Sequence, residues 1–229
     1  MTRVAVIVYP GSNCDEDCVR GVEVAGGSAF RVWHKSTELP PVDGIILPGG
    51  FSYGDYLRPG AIARFSPISE QIAAFAKGGG PVIGICNGFQ ILTELGLLPG
   101  ALLRNRSLKF RCQDQWVRRQ SEFGLAAGSP DLSMAPIAHA DGAYYADEQT
   151  LKRLEDEDRI AFRYCDADGE ITADSNPNGS VSNIAGILSK NGRILGLMPH
   201  PERNAEPILG DGSGLAVLGA WLAAMEASV

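Results

Sequence analysis

Three side chains in two short segments have the types and spacing for covalent chemistry. Cys86 lies in Val82-Ile83-Gly84-Ile85-Cys86-Asn87-Gly88-Phe89-Gln90, which reads as a buried strand turning sharply into a helix with a thiol at the corner. Gly84 and Gly88 leave room for a tight bend and close packing, the geometry of nucleophile elbows. Glycines at an apolar strand's end cost conformational entropy that ordinary core packing does not require, so a presented nucleophile is a better reading of Cys86 than a small buried residue. Far downstream, Met198-Pro199-His200-Pro201-Glu202 supplies an imidazole and a carboxylate two positions apart. Pro201 biases His200 toward extended backbone, where alternate side chains share a face, so Glu202 can orient the ring. Thiol, base and acid together predict nucleophilic catalysis by a triad.

A free thiol, with a pKa of about 8.5, is mostly protonated at neutral pH and needs activation. The helix that begins after Cys86 directs amide dipoles toward the sulfur, and His200 can take its proton. An oxyanion also needs donors. The loop Leu47-Pro48-Gly49-Gly50-Phe51-Ser52-Tyr53-Gly54-Asp55-Tyr56 follows a buried strand, so its bare glycine amides can approach a tetrahedral intermediate, with the amide of Asn87 as second donor. His139 favours a structural or interface role, and His34 has no supporting context.

Positioning these residues requires a strand-and-helix framework, and the chain supplies one. Residues 3–9 read as a central parallel strand and residues 15–25 as a helix capped by Ser12 or Asn13 and stopped by Gly26-Gly27. Strands at 29–33 and 44–47 follow, then a helix at 66–77 with Ile68, Ile72 and Phe75 on one side. Gly78-Gly79-Gly80 ends that helix before the strand leading to Cys86. This alternation predicts an α/β fold with a doubly wound, mostly parallel sheet and helices on both faces. The second half looks antiparallel or irregular, with strand-like runs at 115–118 and 160–164 and a polar helix near 147–155. Residues 183–188 and 193–197 pair across the turn at Lys190-Asn191-Gly192, and a final helix spans about 213–226 with Leu215, Leu218, Leu222 and Met225 as core.

At 229 residues, the chain suits one domain, 1–229. A net charge of -7 argues against a nucleic-acid groove, and the arginines at 104, 106, 111, 118 and 119 are diluted enough to read as a solvated face or partner surface. The first apolar segment is too brief for a signal peptide and no stretch is long enough to span a bilayer, so no membrane association is expected. Five cysteines, an odd number in a chain that can fold without staples, read as free thiols of a reducing cytoplasm. Cys14 and Cys18, four apart beside Asp15, Glu16 and Asp17, read as an acid-rich helix start. No histidine lies close in sequence, so no metal site is expected. Cys112 and Cys165 read as core or edge. Gly210-Asp211-Gly212-Ser213-Gly214 lacks the lysine of a phosphate loop, so nucleotide binding is not encoded.

The Gly-x-Cys-x-Gly elbow and the His-Pro-Glu segment resemble those of class I glutamine amidotransferases. Pro10-Gly11-Ser12-Asn13-Cys14-Asp15, the run from Gly49 through Arg58, Gly84-Ile85-Cys86-Asn87-Gly88-Phe89-Gln90, Ser107-Leu108-Lys109-Phe110-Arg111 and Asn176-Pro177-Asn178-Gly179-Ser180 narrow the likeness. Together they are similar to the family of glutaminase subunits of phosphoribosylformylglycinamidine synthase, a purine-biosynthesis enzyme. The resemblance implies that Cys86 attacks the side-chain amide of L-glutamine, His200 passes the proton to departing ammonia, and Glu202 fixes the ring. It implies oxyanion and substrate contacts from Gly49, Gly50, Asn87 and Gln90. It further implies a synthetase partner that holds ATP and magnesium, a small bridging subunit, and no cofactor in this chain. Two alternatives stay open at this point, a glutaminase serving a different synthetase and a non-catalytic thiol sensor or partner-binding α/β protein.

Overall fold

The structure, a computed structural model, describes residues 1–226. In chain order its elements are β1 (Arg3–Val8), α1 (Asp15–Val24), β2 (Ser28–Trp33), β3 (Gly44–Leu47), α2 (Pro67–Lys77), β4 (Val82–Ile85), α3 (Asn87–Glu94) and β5 (Ala101–Leu103). There follow β6 (Arg111–Arg119), β7 (Leu132–His139), β8 (Ala143–Tyr145), α4 (Glu148–Asp156), β9 (Ile160–Cys165), β10 (Ile184–Leu188), β11 (Ile194–Leu197) and α5 (Ser213–Glu226).

Continuous apolar runs dictate the centre of the molecule. Every residue of β3, β4 and β11 is buried, as expected of parallel strands covered on both faces. Among the described residues, nine strands form one sheet in the order β2-β1-β3-β4-β11-β10-β9-β6-β7, with helices on both sides, and β5 pairs separately with β8. From β2 to β11 the neighbours run parallel. From β10 to β7 they run antiparallel. The antiparallel half is therefore a direct continuation of the parallel sheet.

Local sequence explains most boundaries. Pro67 opens α2, where a missing amide proton costs nothing, and Gly26 at φ 90° ends the first helical segment as Gly27 donates back to Val22. Asp147 caps α4 by accepting from Thr150 N at 2.7 Å. The expected cap on α1 is different. Cys14 occupies that position without a side-chain cap, while Ser12 Oγ turns back to accept from Tyr9 N at 3.1 Å. The acids Asp15, Glu16 and Asp17 offset the loss by facing the positive end of the helix dipole. Along β7, burial alternates strictly, yet the buried set is Ser133, Ala135, Ile137 and His139. Two of those four are polar, and Pro136 is tolerated because β7 is the sheet's edge.

All five cysteines are free. Among the described residues, no helix is long and apolar enough to cross a membrane.

Candidate active site

Strand register brings the distant motifs together. β4 lies between β3 and β11, with Leu47 opposite Gly84 and Leu197 opposite Ile85, all parallel. The loop after Leu47, the corner at Cys86 and the segment leading to His200 therefore leave the same edge of the sheet, at the carboxyl ends of three neighbouring strands. That edge is where open α/β sheets place their sites.

Cys86 sits at φ 51° and ψ −105°, a conformation that a non-glycine residue holds only under constraint. The constraint is visible on both sides. Its amide donates to Leu197 O at 2.8 Å, and α3 packs so closely on β3 that a Cβ on Gly88 would lie 1.9 Å from Leu47 O. A Cβ on Gly84 would meet the Gly88 carbonyl at 2.7 Å. The glycine spacing is thus a packing requirement of the bend. The sulfur is nearly buried, 3.9 Å from Ala138 O on β7.

His200 and Glu202 are both buried, and Nδ1 lies 2.6 Å from Oε1. Their shared face arises differently from the expected alternation. His200 is near-extended at φ −105° and ψ 83°, but Glu202 lies in a 3₁₀ turn, Pro201–Asn204, which swings its carboxylate back under the ring. Burial opposes a charged imidazole. The carboxylate of Glu202 and the thiols of Cys86 and Cys14 outweigh it, holding the His200 pKa well above its ordinary value. Nε2 has no hydrogen-bond partner, so no other group competes for the proton the ring holds there.

The loop after β3 is built from left-handed residues, with Tyr53, Gly54, Asp55 and Leu57 at φ 54–71°. Gly50, at φ 144°, approaches so closely that a Cβ would lie 2.7 Å from Gly11 O, and a Cβ on Gly49 would press on the His200 ring at 2.5 Å. Three contacts brace the loop. Phe51 N donates to Gly11 O at 2.9 Å, Ser52 N donates to Asn87 Oδ1 at 3.1 Å, and Tyr53 Oη meets the buried His34 Nδ1 at 2.8 Å. His34, without context in the sequence, is thus a support of this loop. Gln90 is tied at both ends of its amide, accepting from Asn87 Nδ2 at 2.8 Å and donating to Asp141 O at 2.6 Å. Burial and Asp141 push the neighbouring Asp55 carboxyl up to about 6.

A cleft of about 200 Å³ opens against His200, lined by Asn13, Cys14, Gly50, Phe51, Phe110, Ala138 and Arg203. Its size suits a molecule no larger than an amino acid. Sequence reasoning missed Arg203, whose Nη2 donates to Cys14 Sγ at 3.0 Å and whose Nε lies 3.2 Å from Asp17 Oδ2. Its place directly after Glu202 was the available signal.

Residues 1–211 match the CobB/CobQ-like glutamine amidotransferase domain family. Phosphoribosylformylglycinamidine synthase subunit PurQ of Rhodospirillum rubrum is 53% identical over 218 residues, 93% of this chain and 95% of that protein. The PurQ subunit of Synechocystis sp. is 53% identical over 221 residues, 95% of this chain and 99% of its own. The chain belongs to the PurQ family. A chain in the solved structure of PurLQS from Thermotoga maritima is 40% identical with a TM-score of 0.83, covering 97% of this chain and 99% of that one. A glutamine amidotransferase from Thermotoga maritima, 17% identical with a TM-score of 0.62 over 98% and 97% of the two chains, shares the fold.

A buried hydrogen-bond cluster fixes the loop at the mouth of the cleft. Asn105, fully buried, donates from Nδ2 to the carbonyls of Lys109 and His139, both at 2.9 Å. Its Oδ1 accepts from Gly142 N and so also from His139 Nδ1, each at 3.1 Å. His139 Nε2 is left to accept from Asn178 Nδ2 at 3.5 Å. Burial and the nearby His200 lower the His139 pKa to about 4, so the ring is neutral. In this PurQ-family chain, His139 therefore acts as a pin. It holds the 104–110 loop, whose Phe110 packs on Phe51 with ring centroids 6.4 Å apart at the mouth of the cleft.

Proposed function

We propose that Cys86, His200 and Glu202 are the catalytic triad of a glutaminase, the subunit that supplies ammonia to phosphoribosylformylglycinamidine synthase in purine biosynthesis. The observation that carries this reading is the parallel pairing of β4 with β11, which delivers Cys86 and the buried His200–Glu202 pair to one strand edge. Cys86 attacks the side-chain amide of glutamine, and its thiol proton passes through His200 to the leaving ammonia. A glutamyl thioester forms, which water deprotonated by His200 hydrolyses to glutamate. Amides of Gly50 and Asn87 receive the oxyanion; the latter belongs to the first turn of α3, whose amides lack intrahelical partners. Gly49 sets the loop against the imidazole. Gln90 reaches substrate by exchanging one of its present hydrogen bonds.

The chain works as one amidotransferase unit without a cofactor of its own, and ATP with magnesium belongs to the synthetase. A synthetase partner and a small bridging subunit are supported by the PurLQS assembly of Thermotoga maritima. Exposed Tyr56 and Leu57, on the same loop as Phe51, suit a docking surface beside the cleft. Five free cysteines suit the cytoplasm. Glutamate release measured with and without purified synthetases tests the pairing. Release rising only with the phosphoribosylformylglycinamidine synthetase is the expected result, and an equal rise with a guanylate or carbamoyl-phosphate synthetase would contradict it.

A further inference from the structure

Cys14 takes no part in the proposed reaction, yet the fold places it in a donor set. Its sulfur, a ring nitrogen of His200 and a carboxylate oxygen of Glu202 all lie within 4.8 Å of one another, and all three residues are buried. Two atoms of this group, His200 Nε2 and Glu202 Oε2, have no hydrogen-bond partner. A four-coordinate cation with sulfur, nitrogen and oxygen ligands at about 2.0–2.3 Å holds its donors about 3.3–3.6 Å apart, so on binding the His200 Nδ1–Glu202 Oε1 pair, now 2.6 Å apart, opens and the Cys14 sulfur closes on it. The cleft beside Cys14 and His200 provides a way in. The absence of a nearby histidine, which argued against a metal at Cys14 from sequence, is answered by β11, which carries His200 to the start of α1.

We propose that Cys14, His200 and Glu202 form a site for a soft divalent cation, zinc in the cell, which takes the place of the proton shared by His200 and Glu202. Thiolate, imidazole and a single carboxylate suit zinc or cadmium, whereas magnesium and calcium require oxygen ligands in greater number. Three protein ligands leave a fourth position for water. Binding releases two protons, one from the Cys14 thiol and one from between His200 Nδ1 and Glu202 Oε1. The sulfur exchanges its contacts with Arg203 and with Asn13 Oδ1, at 3.0 and 3.2 Å, for the cation, and Arg203 keeps Asp17. The occupied site has no free imidazole, and turnover stops. Binding depends on the donor set alone, while the loss of turnover rests on His200 acting as the base.

Cadmium titration of the full chain, followed by the ultraviolet thiolate-to-cadmium band, tests the site. One cadmium per chain is expected, with the band kept in Cys86→Ser and Cys18→Ser and affinity reduced at least about 100-fold in Cys14→Ser. X-ray absorption of the zinc-loaded wild-type chain guards against misfolding of that variant. It should count one sulfur at about 2.3 Å and nitrogen or oxygen at about 2.0–2.2 Å. A band that follows Cys86, two sulfur neighbours, or no saturable binding would overturn the proposal. Zinc bound with the expected signature that leaves glutamate release by the synthetase complex unchanged would instead count against His200 as the base.

Discussion

Glu202 Oε1 lies 2.6 Å from His200 Nδ1, and neither side chain has meaningful contact with solvent. A buried carboxylate in that place fixes the ring's orientation and favours its charged form. Glu202→Gln keeps the shape and removes the charge. Glutamate release by the complex is expected to fall by about 10²–10⁴-fold, and the high-pH limb of its pH profile to move downward, because His200 loses the carboxylate that raises its pKa. An unchanged rate and profile would remove Glu202 from the mechanism.

Backbone crowding at the elbow gives a stability contrast. A methyl on Gly88 meets a carbonyl oxygen that cannot move without breaking the β3–α3 contact, whereas nothing lies within 4 Å of the Cβ position on Gly219 in α5. Gly88→Ala is expected to cost about 3 kcal/mol or more, and Gly219→Ala to add about 0.5–1 kcal/mol through helix propensity. Urea unfolding of the two variants checks both signs.

Asn87 couples the elbow to the oxyanion loop by accepting from Ser52 N, while its Nδ2 donates to Gln90 Oε1 within α3. Asn87→Ala frees that loop without touching the thiol. A kcat lowered by about 10–100-fold, with KM changed much less, is expected because misplacing a donor by about 1 Å has that effect. A change confined to KM would assign Asn87 to substrate affinity instead.

His139 makes stability depend on pH. It titrates near 4 in the fold and near 6.5 when unfolded, so between those values the unfolded chain alone binds the proton. Its contribution is fully present above about 6.5 and is lost as pH falls toward about 4, by about 3 kcal/mol in total. Denaturant midpoints for wild type and His139→Gln should diverge between neutral pH and that lower limit. A constant difference across the range would show that the ring titrates at the same pH folded and unfolded.

The parallel half of the sheet was legible because continuous apolar runs announce doubly covered strands, and β3 and α5 have the expected bounds. The elbow was legible because only glycine fits at 84 and 88. β7 was not, since its inward face is Ser133, Ala135, Ile137 and His139, which gives no hydrophobic alternation to read. Arg203 and His34 were missed for another reason. Each acts through partners far away in sequence, Cys14 and Asp17 for one and Tyr53 for the other. Cys14 was read as a helix start, and its nearness to His200 depends on strand order, which no local pattern encodes.

Two thiols, Cys86 and Cys14, bear on one imidazole, so the identity of the nucleophile is the central claim. Peptide mapping by mass spectrometry, after the synthetase complex reacts with a glutamine-like diazo ketone, reads it directly. A single adduct on Cys86, lost in Cys86→Ala, is the expected result; an adduct on Cys14, or none on either cysteine, would contradict it.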